Sequence, residues 1–262
     1  MYVIYFMMID AHCHIHEDIN GLKECCLRAI ENKIYILLNN IEIRNNIDVN
    51  NIVNMLQKNS TDELKIYTSI GVHPLDVENI DQNHAKKIIE ENINSIIAIG
   101  ETGLDFSREI NRNIQFEFLE FQAELCKKYK KPIVIHARNC LVDDILNTLA
   151  PFDIPIMFHS WTMDDSAIKK ALNYNTMICF SGMITFKSKT EDIINAAMYC
   201  PIERMFLETD SPFLAPVPKR GKTNEPSFVK FNYEKIAQIK NIDLSLLCSI
   251  IRINFHSFFN LL

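Results

Sequence analysis

His12 and His14 stand two residues apart in Asp10-Ala11-His12-Cys13-His14. On a β-strand that spacing puts both imidazoles on one side, within reach of a common ion. Alone the pair is weak evidence, but the theme recurs along the chain. Glu101 lies in Gly100-Glu101-Thr102-Gly103-Leu104-Asp105, His136 opens His136-Ala137-Arg138, His159 opens His159-Ser160-Trp161, and Asp210 lies in Glu208-Thr209-Asp210-Ser211-Pro212. Each segment directly follows a short apolar run. Imidazoles with carboxylates suit borderline or hard divalent ions such as Zn²⁺, Mn²⁺ or Mg²⁺. The six candidates are His12, His14, Glu101, His136, His159 and Asp210. They exceed the needs of one tetrahedral ion and suggest a two-metal site with a shared carboxylate, an arrangement suited to hydrolysing phosphate esters.

Other polar residues carry two readings each. His73, in Gly71-Val72-His73-Pro74, is a substrate contact or simply a turn residue. Arg138 follows His136 at strand spacing, so its guanidinium is placed to hold phosphate or to form a structural ion pair. Glu208 precedes Asp210 at the same spacing and is expected to orient a metal ligand. Trp161 either offers a stacking face or packs as an ordinary aromatic. His16 extends the histidine series or sits on a loop surface; His84 and His256 fall in helical stretches, and Cys13 should face the core.

These residues need a scaffold that brings strand ends together. Apolar runs at Val3–Ile9, Ile34–Leu38, Ile66–Ile70, Ile96–Ile99, Pro132–Ile135, Ile154–Phe158, Met177–Phe180 and Met205–Leu207 read as strands. Between them lie helical periods at Leu22–Asn32, Ile52–Asn59, Ala85–Asn94, Asn113–Tyr129, Val142–Leu149, Asp165–Leu172 and Glu191–Tyr199, with Glu225–Lys240 and Leu244–Asn260 closing the chain. Continuous apolar strands alternating with helices imply a parallel sheet buried on both faces. Eight such units in 262 residues predict an α/β fold of the (β/α)₈ TIM-barrel type, one domain over residues 1–262, with a doubly wound open sheet as the alternative. In a barrel the strands' C-terminal ends share one mouth, which gathers the six candidates.

Composition limits the partners. Lys and Arg total 27 against 33 Asp and Glu, a net charge of −6, which argues against a broad basic surface for duplex nucleic acid or anionic membrane. A phosphate substrate must then be gripped locally. The 8 cysteines form no CxxC pair and are expected to be reduced thiols in a cytoplasmic protein. The apolar opening Met1–Ile9 has no basic residues and runs into Asp10, too short to span a bilayer. No obligate protein partner is evident. Only 6 glycines occur, about 2% against a usual figure of about 7%. Gly71, Gly100, Gly103, Gly182 and Gly221 all lie in the motif segments, where backbone must turn tightly or approach closely.

The segments DAHCH at 10–14, GVHP at 71–74, GETGLD at 100–105, HAR at 136–138, SGMITFK at 181–187 and LETDSPFLAPVPKRGKTNEP at 207–226 resemble the TatD-type deoxyribonucleases, a branch near the metal-dependent amidohydrolases. The resemblance covers nearly the whole chain. It implies a (β/α)₈ barrel that binds two divalent metal ions (Mg, Mn or Zn) and hydrolyses phosphodiester bonds of DNA. It further implies that His12 and His14 bind one ion with Asp210, that His136 and His159 bind the second, and that Glu101 bridges them. Asp210 and Glu101 are then the catalytic carboxylates, His73 and Arg138 the substrate contacts, and Lys187, Arg220 and Lys222 candidates for the approach. The chain departs from the family at His159-Ser160-Trp161-Thr162-Met163-Asp164, where Cys-Phe-Ser-Gly usually follows the histidine, so the pocket wall differs while the histidine stays. With the acidic net charge, DNA ends, single strands or a small phosphodiester are the expected substrates. A metal-dependent amide, lactone or ester hydrolase on the same barrel is the competing class. Its members often bridge their metals with a carboxylated lysine, whereas this chain offers Glu101. A non-catalytic scaffold is the third reading, and the full set of candidate ligands argues against it.

Overall fold

The computed structural model describes residues 7–15, 21–188 and 190–261. Eight strands form one parallel sheet in sequence order: β1 (Met8–Cys13), β2 (Ile34–Glu42), β3 (Lys65–Gly71), β4 (Ala98–Asp105), β5 (Ile133–Arg138), β6 (Ile156–Phe158), β7 (Thr176–Phe180) and β8 (Met205–Leu207). The outer layer is α1 (Leu22–Glu31), α2 (Val49–Asn59), α3 (Gln82–Asn92), α4 (Arg112–Tyr129), α5 (Val142–Leu149), α6 (Asp165–Ala171), α7 (Glu191–Tyr199), α8 (Val229–Lys240) and α9 (Leu244–Phe258). The ring closes between the last strand and the first. Cys13 bridges Ser211 in parallel, the His14 amide donates to Ser211 O at 2.7 Å and the Asp210 amide to His12 O at 3.0 Å. This is the TIM barrel expected from the alternation of strand and helix, not the open sheet.

Burial explains the strand composition. Ile9, Ile36, Leu37, Leu38, Ile70, Ile99, Val134 and Ile135 have no exposed surface, because helices cover one face and barrel packing the other. Each such side chain contributes about 1.5–3 kcal/mol when fully buried. Several helices start at capping carboxylates: Asp48 accepts from the Asn51 amide, Asp81 from His84, Asp164 from Ala167 and Asp243 from Ser245.

Strand boundaries differ from the sequence reading in one instructive way. The apolar runs end at Ile9, Leu38, Ile99 and Ile135, whereas β1, β2, β4 and β5 continue to Cys13, Glu42, Asp105 and Arg138. The candidate ligands His12, Glu101 and His136 therefore sit on strands and not in loops after them. Backbone pairing persists through the polar residues, as in Gly103 with His136 and Asp105 with Arg138. Side chains at the mouth can be polar without breaking the ladder. The proposed strand start at Val3 lies outside the described residues.

Two irregularities fall at the site. Asp10 pairs with Leu37 and Cys13 with Asn39, so β1 carries one residue more than β2 across that interval. Ile99 pairs with Ile133 and Thr102 with Ile135, so β4 carries an extra residue against β5. The two bulged intervals contain His12 and Glu101, and a bulge re-aims the side chains it carries.

Candidate metal centre

The six candidate ligands meet at the barrel mouth, and Glu101 stands at their centre. Its Oε1 lies 2.7 Å from His136 Nδ1 and 2.9 Å from His159 Nε2. Its Oε2 lies 3.2 Å from His12 Nε2 and 3.8 Å from His14 Nε2. Asp210 Oδ1 completes the second group, 3.6 Å from His14 Nε2 and 3.9 Å from His12 Nε2. Oε1 thus faces His136 and His159 and Oε2 faces His12 and His14, while the His12 and His159 rings stack with centroids 4.3 Å apart.

Electrostatics at this mouth are extreme because the groups are buried. Burial disfavours charge on Glu101, yet His159 and bonds to His12, His136 and His159 outweigh it and hold the carboxyl well below the usual range. Burial likewise opposes charge on His14, but its bond to Asp210 and the nearby Glu42 and Glu101 push its pKa up to about 9. His136 and His159 are raised for the same reason: neighbouring carboxylates overcome burial. Asp210 is held low against burial by His14, His159 and His12.

The donor geometry fits divalent cations. His12 Nε2 and His14 Nε2 approach to 3.2 Å, and so do His136 Nδ1 and His159 Nε2. Ring nitrogens that converge on carboxylate oxygens at these distances share one ion comfortably, while as isolated neutral or charged rings they compete for protons. Three groupings, His12–His14–Glu101, His73–Glu101–His136 and His12–His159–Glu208, bring ligand atoms within 4.8 Å of one another.

Supporting residues orient these rings, and several were missed from sequence. Asp105 Oδ2 lies 3.1 Å from His136 Nε2, fixing that ring from behind. Glu208, expected as an orienting residue, lies with Oε1 3.3 Å from His159 Nδ1 and accepts from the Ser160 amide at 2.8 Å. Asn40 Nδ2 donates to Glu101 Oε2 at 3.5 Å, while Asn40 Oδ1 accepts from Ser69 Oγ at 2.9 Å. Gln122, on α4, accepts from the Val72 amide at 2.9 Å and donates to Thr102 Oγ1 at 2.6 Å, tying His73's loop to β4. Buried Asp10 accepts from the Thr209 amide at 2.8 Å and its hydroxyl at 2.5 Å, locking β1 to the segment that carries Asp210. Asn224 donates to Thr209 O at 2.8 Å and Phe213 O at 2.5 Å. The signal for Asp105 was its place in GETGLD at a strand's end. No spacing rule marks Gln122 or Asn224.

The centre floors an open cavity of about 750 Å³. Arg138 lines it, as expected from its spacing after His136, and so does His73. His73 Nε2 comes within 3.4 Å of Glu101 Oε1 and 3.3 Å of His136 Nδ1, so it touches the ligand cluster itself. Trp161 is not part of the wall: it is buried edge-on against Phe158, with Nε1 donating to Met163 O at 2.8 Å. Lys187, Arg220 and Lys222 are exposed but also lie outside the cavity lining. Cys13 faces the core, its Sγ 3.5 Å from Leu38 O, and all 8 cysteines are free thiols. His84 is exposed on α3, His256 is half-buried on α9, and His16 lies outside the described residues. Among the described residues no helix is long and apolar enough to cross a membrane.

The family model described as TatD related DNase matches residues 9–260. The chain belongs to that family. An uncharacterized metal-dependent hydrolase, BU355 of Buchnera aphidicola, is 32% identical over 97% of this chain and 99% of its own. A second, MG009 of Mycoplasma genitalium, is 34% identical over 90% of this chain and 92% of its own. The solved structure of YJJV, a TatD homolog from Escherichia coli, matches with a TM-score of 0.86 at 20% identity, covering 98% of this chain and 99% of that one. At the broad level the chain is a metal-dependent hydrolase of the TatD family.

Proposed function

We infer that this TatD-family chain hydrolyses phosphodiester bonds of DNA with two divalent ions, acting on strand ends or single strands. The observation that carries the reading is the Glu101 carboxylate, whose two oxygens face two imidazole clusters at 2.7 to 3.8 Å. His12, His14 and Asp210 would hold one ion, His136 and His159 the other, and Glu101 both. Bound ions supply positive charge to the phosphate and make an attacking water more acidic.

The chain's own groups supply the rest. Asp210 is ionised, held so by its histidine neighbours, and accepts the proton that the attacking water loses. Its backbone is unusual: φ is 57°, a left-handed conformation that costs a non-glycine residue about 1–3 kcal/mol. That conformation is pinned by the Asp210 amide bonded to His12 O and by the Phe213 amide bonded to Asp210 O. Arg138 offers a guanidinium fork to phosphate oxygens, and His73 also lines the cavity. With a net charge of −6 the chain as a whole does not attract DNA, so affinity must come from this mouth.

A substrate panel tests the reading. Metal-loaded protein is expected to cleave single-stranded oligonucleotides and a model phosphodiester. Turnover of lactones or amides with no cleavage of oligonucleotides would assign it to the competing hydrolase class.

A further inference from the structure

The cavity walls differ in chemistry on opposite sides of the metal centre. On the β4–β5 side stand Arg108 and Arg138, both exposed. Arg44, also in the wall, is instead engaged by Glu42 and Asp76. On the β7–β8 side the wall is apolar: Met183, Phe213 and Leu214. Phe213 is the one exposed phenylalanine among the described residues, with 54% of its surface open. Its ring centroid stands 6.2 Å from that of His14, in the cluster that also holds Asp210.

Its position is built and not incidental. The Phe213 amide donates to Asp210 O at 2.8 Å, and its carbonyl accepts from Asn224 Nδ2 at 2.5 Å. The backbone that carries the ring is therefore pinned to the backbone that carries Asp210. An aromatic face on a pinned backbone beside the metal centre, with guanidinium groups across the mouth, matches a ligand that is flat and apolar at one end and anionic at the other. A nucleotide has that form. Its base can lie on the ring while its phosphates lead across the centre.

The geometry points to Phe213 as the stacking platform for the terminal base of a single DNA strand whose following phosphates run toward Arg138 and Arg108. The inference rests on the phosphodiesterase reading and deepens it, by making an unstacked base part of what is recognised. A base paired and stacked within a duplex cannot present its face to Phe213. The net charge of −6 gives DNA no overall electrostatic attraction to compensate, so strand ends are selected by stacking. The ring has two side-chain torsions and a fixed backbone, so little entropy is lost on contact.

The test uses three single-stranded oligonucleotides of one sequence: intact, abasic at the 3′ end, and abasic at the 5′ end. Wild-type protein loaded with Mn²⁺ is expected to show a KM about 10-fold higher for one abasic form, with kcat little changed. Phe213→Ala should raise KM for the intact strand about 10-fold and lose the discrimination, while Phe213→Trp should retain both. Cleavage of all three with equal KM by the wild type, or discrimination retained by Phe213→Ala, overturns the inference alone. Failure of the wild type to cleave any of them overturns the phosphodiesterase reading as well.

Discussion

At the scale of single residues, the account rests on Glu101 serving two clusters at once. Glu101→Gln keeps the volume but removes the charge that both clusters share. Hydrolysis is expected to fall at least about 10³-fold, with bound metal reduced in elemental analysis and the circular dichroism spectrum unchanged. The orienting carboxylates give a graded version of the same prediction. Asp105→Asn, behind His136, and Glu208→Gln, behind His159, should each weaken metal affinity about 10- to 100-fold in a competition titration with a chelating dye. Unchanged affinity in both would mean that the rings are held by packing alone. The six ligand candidates were legible because each is a polar residue directly after an apolar run. Phe213 was less so: it lies in the 207–226 motif three residues after Asp210, but sequence does not give the exposure that sets it apart among the described phenylalanines. Trp161, the rarer residue, drew attention instead and turned out to be packed.

At the scale of elements, β4 shows why this chain kept the few glycines it has. Gly103 adopts φ +140°, and a Cβ there would stand 2.0 Å from His136 O on the neighbouring strand. Gly103→Ala should therefore cost about 2–5 kcal/mol in denaturant unfolding, combining strain with a clash against backbone. Gly221 also has positive φ, +84°, but a Cβ would meet nothing within 4 Å. Gly221→Ala should cost only about 1 kcal/mol, and equal losses at the two positions would refute the close-approach explanation. Alternating apolar runs made the strands and helices readable. Their ends were not, since apolar residues alone mark strand length in the sequence while β1, β2, β4 and β5 carry polar side chains into the mouth. The extra residues in β1 and β4 were equally hidden, because a bulge appears only in the pairing between strands.

At the scale of the whole molecule, the barrel converts distant sequence segments into one charged, buried cluster, and pH then acts on the assembly. His14 is raised from an ordinary 6.5 to about 9 in the metal-free chain, because Asp210, Glu42 and Glu101 outweigh burial. Its contribution to metal-free stability is therefore full below about 6.5 and is lost as pH rises through about 9. A cation must displace that proton, so apparent metal affinity should climb as pH rises between these values, with proton release visible by calorimetry in buffers of different ionisation enthalpy. A flat affinity profile across that window would contradict the coupling. The barrel itself was legible from strand and helix alternation, whereas the closing contacts between β8 and β1 depend on Asp10, Thr209 and Asn224, whose roles no local pattern announces. The most direct test of the central claim is to titrate chelator-stripped protein with Mn²⁺ while following cleavage of a single-stranded oligonucleotide. Activity absent in the stripped protein and restored in full at two bound ions per chain is the expected result; full-rate cleavage in excess chelator, or saturation at one ion, would contradict it.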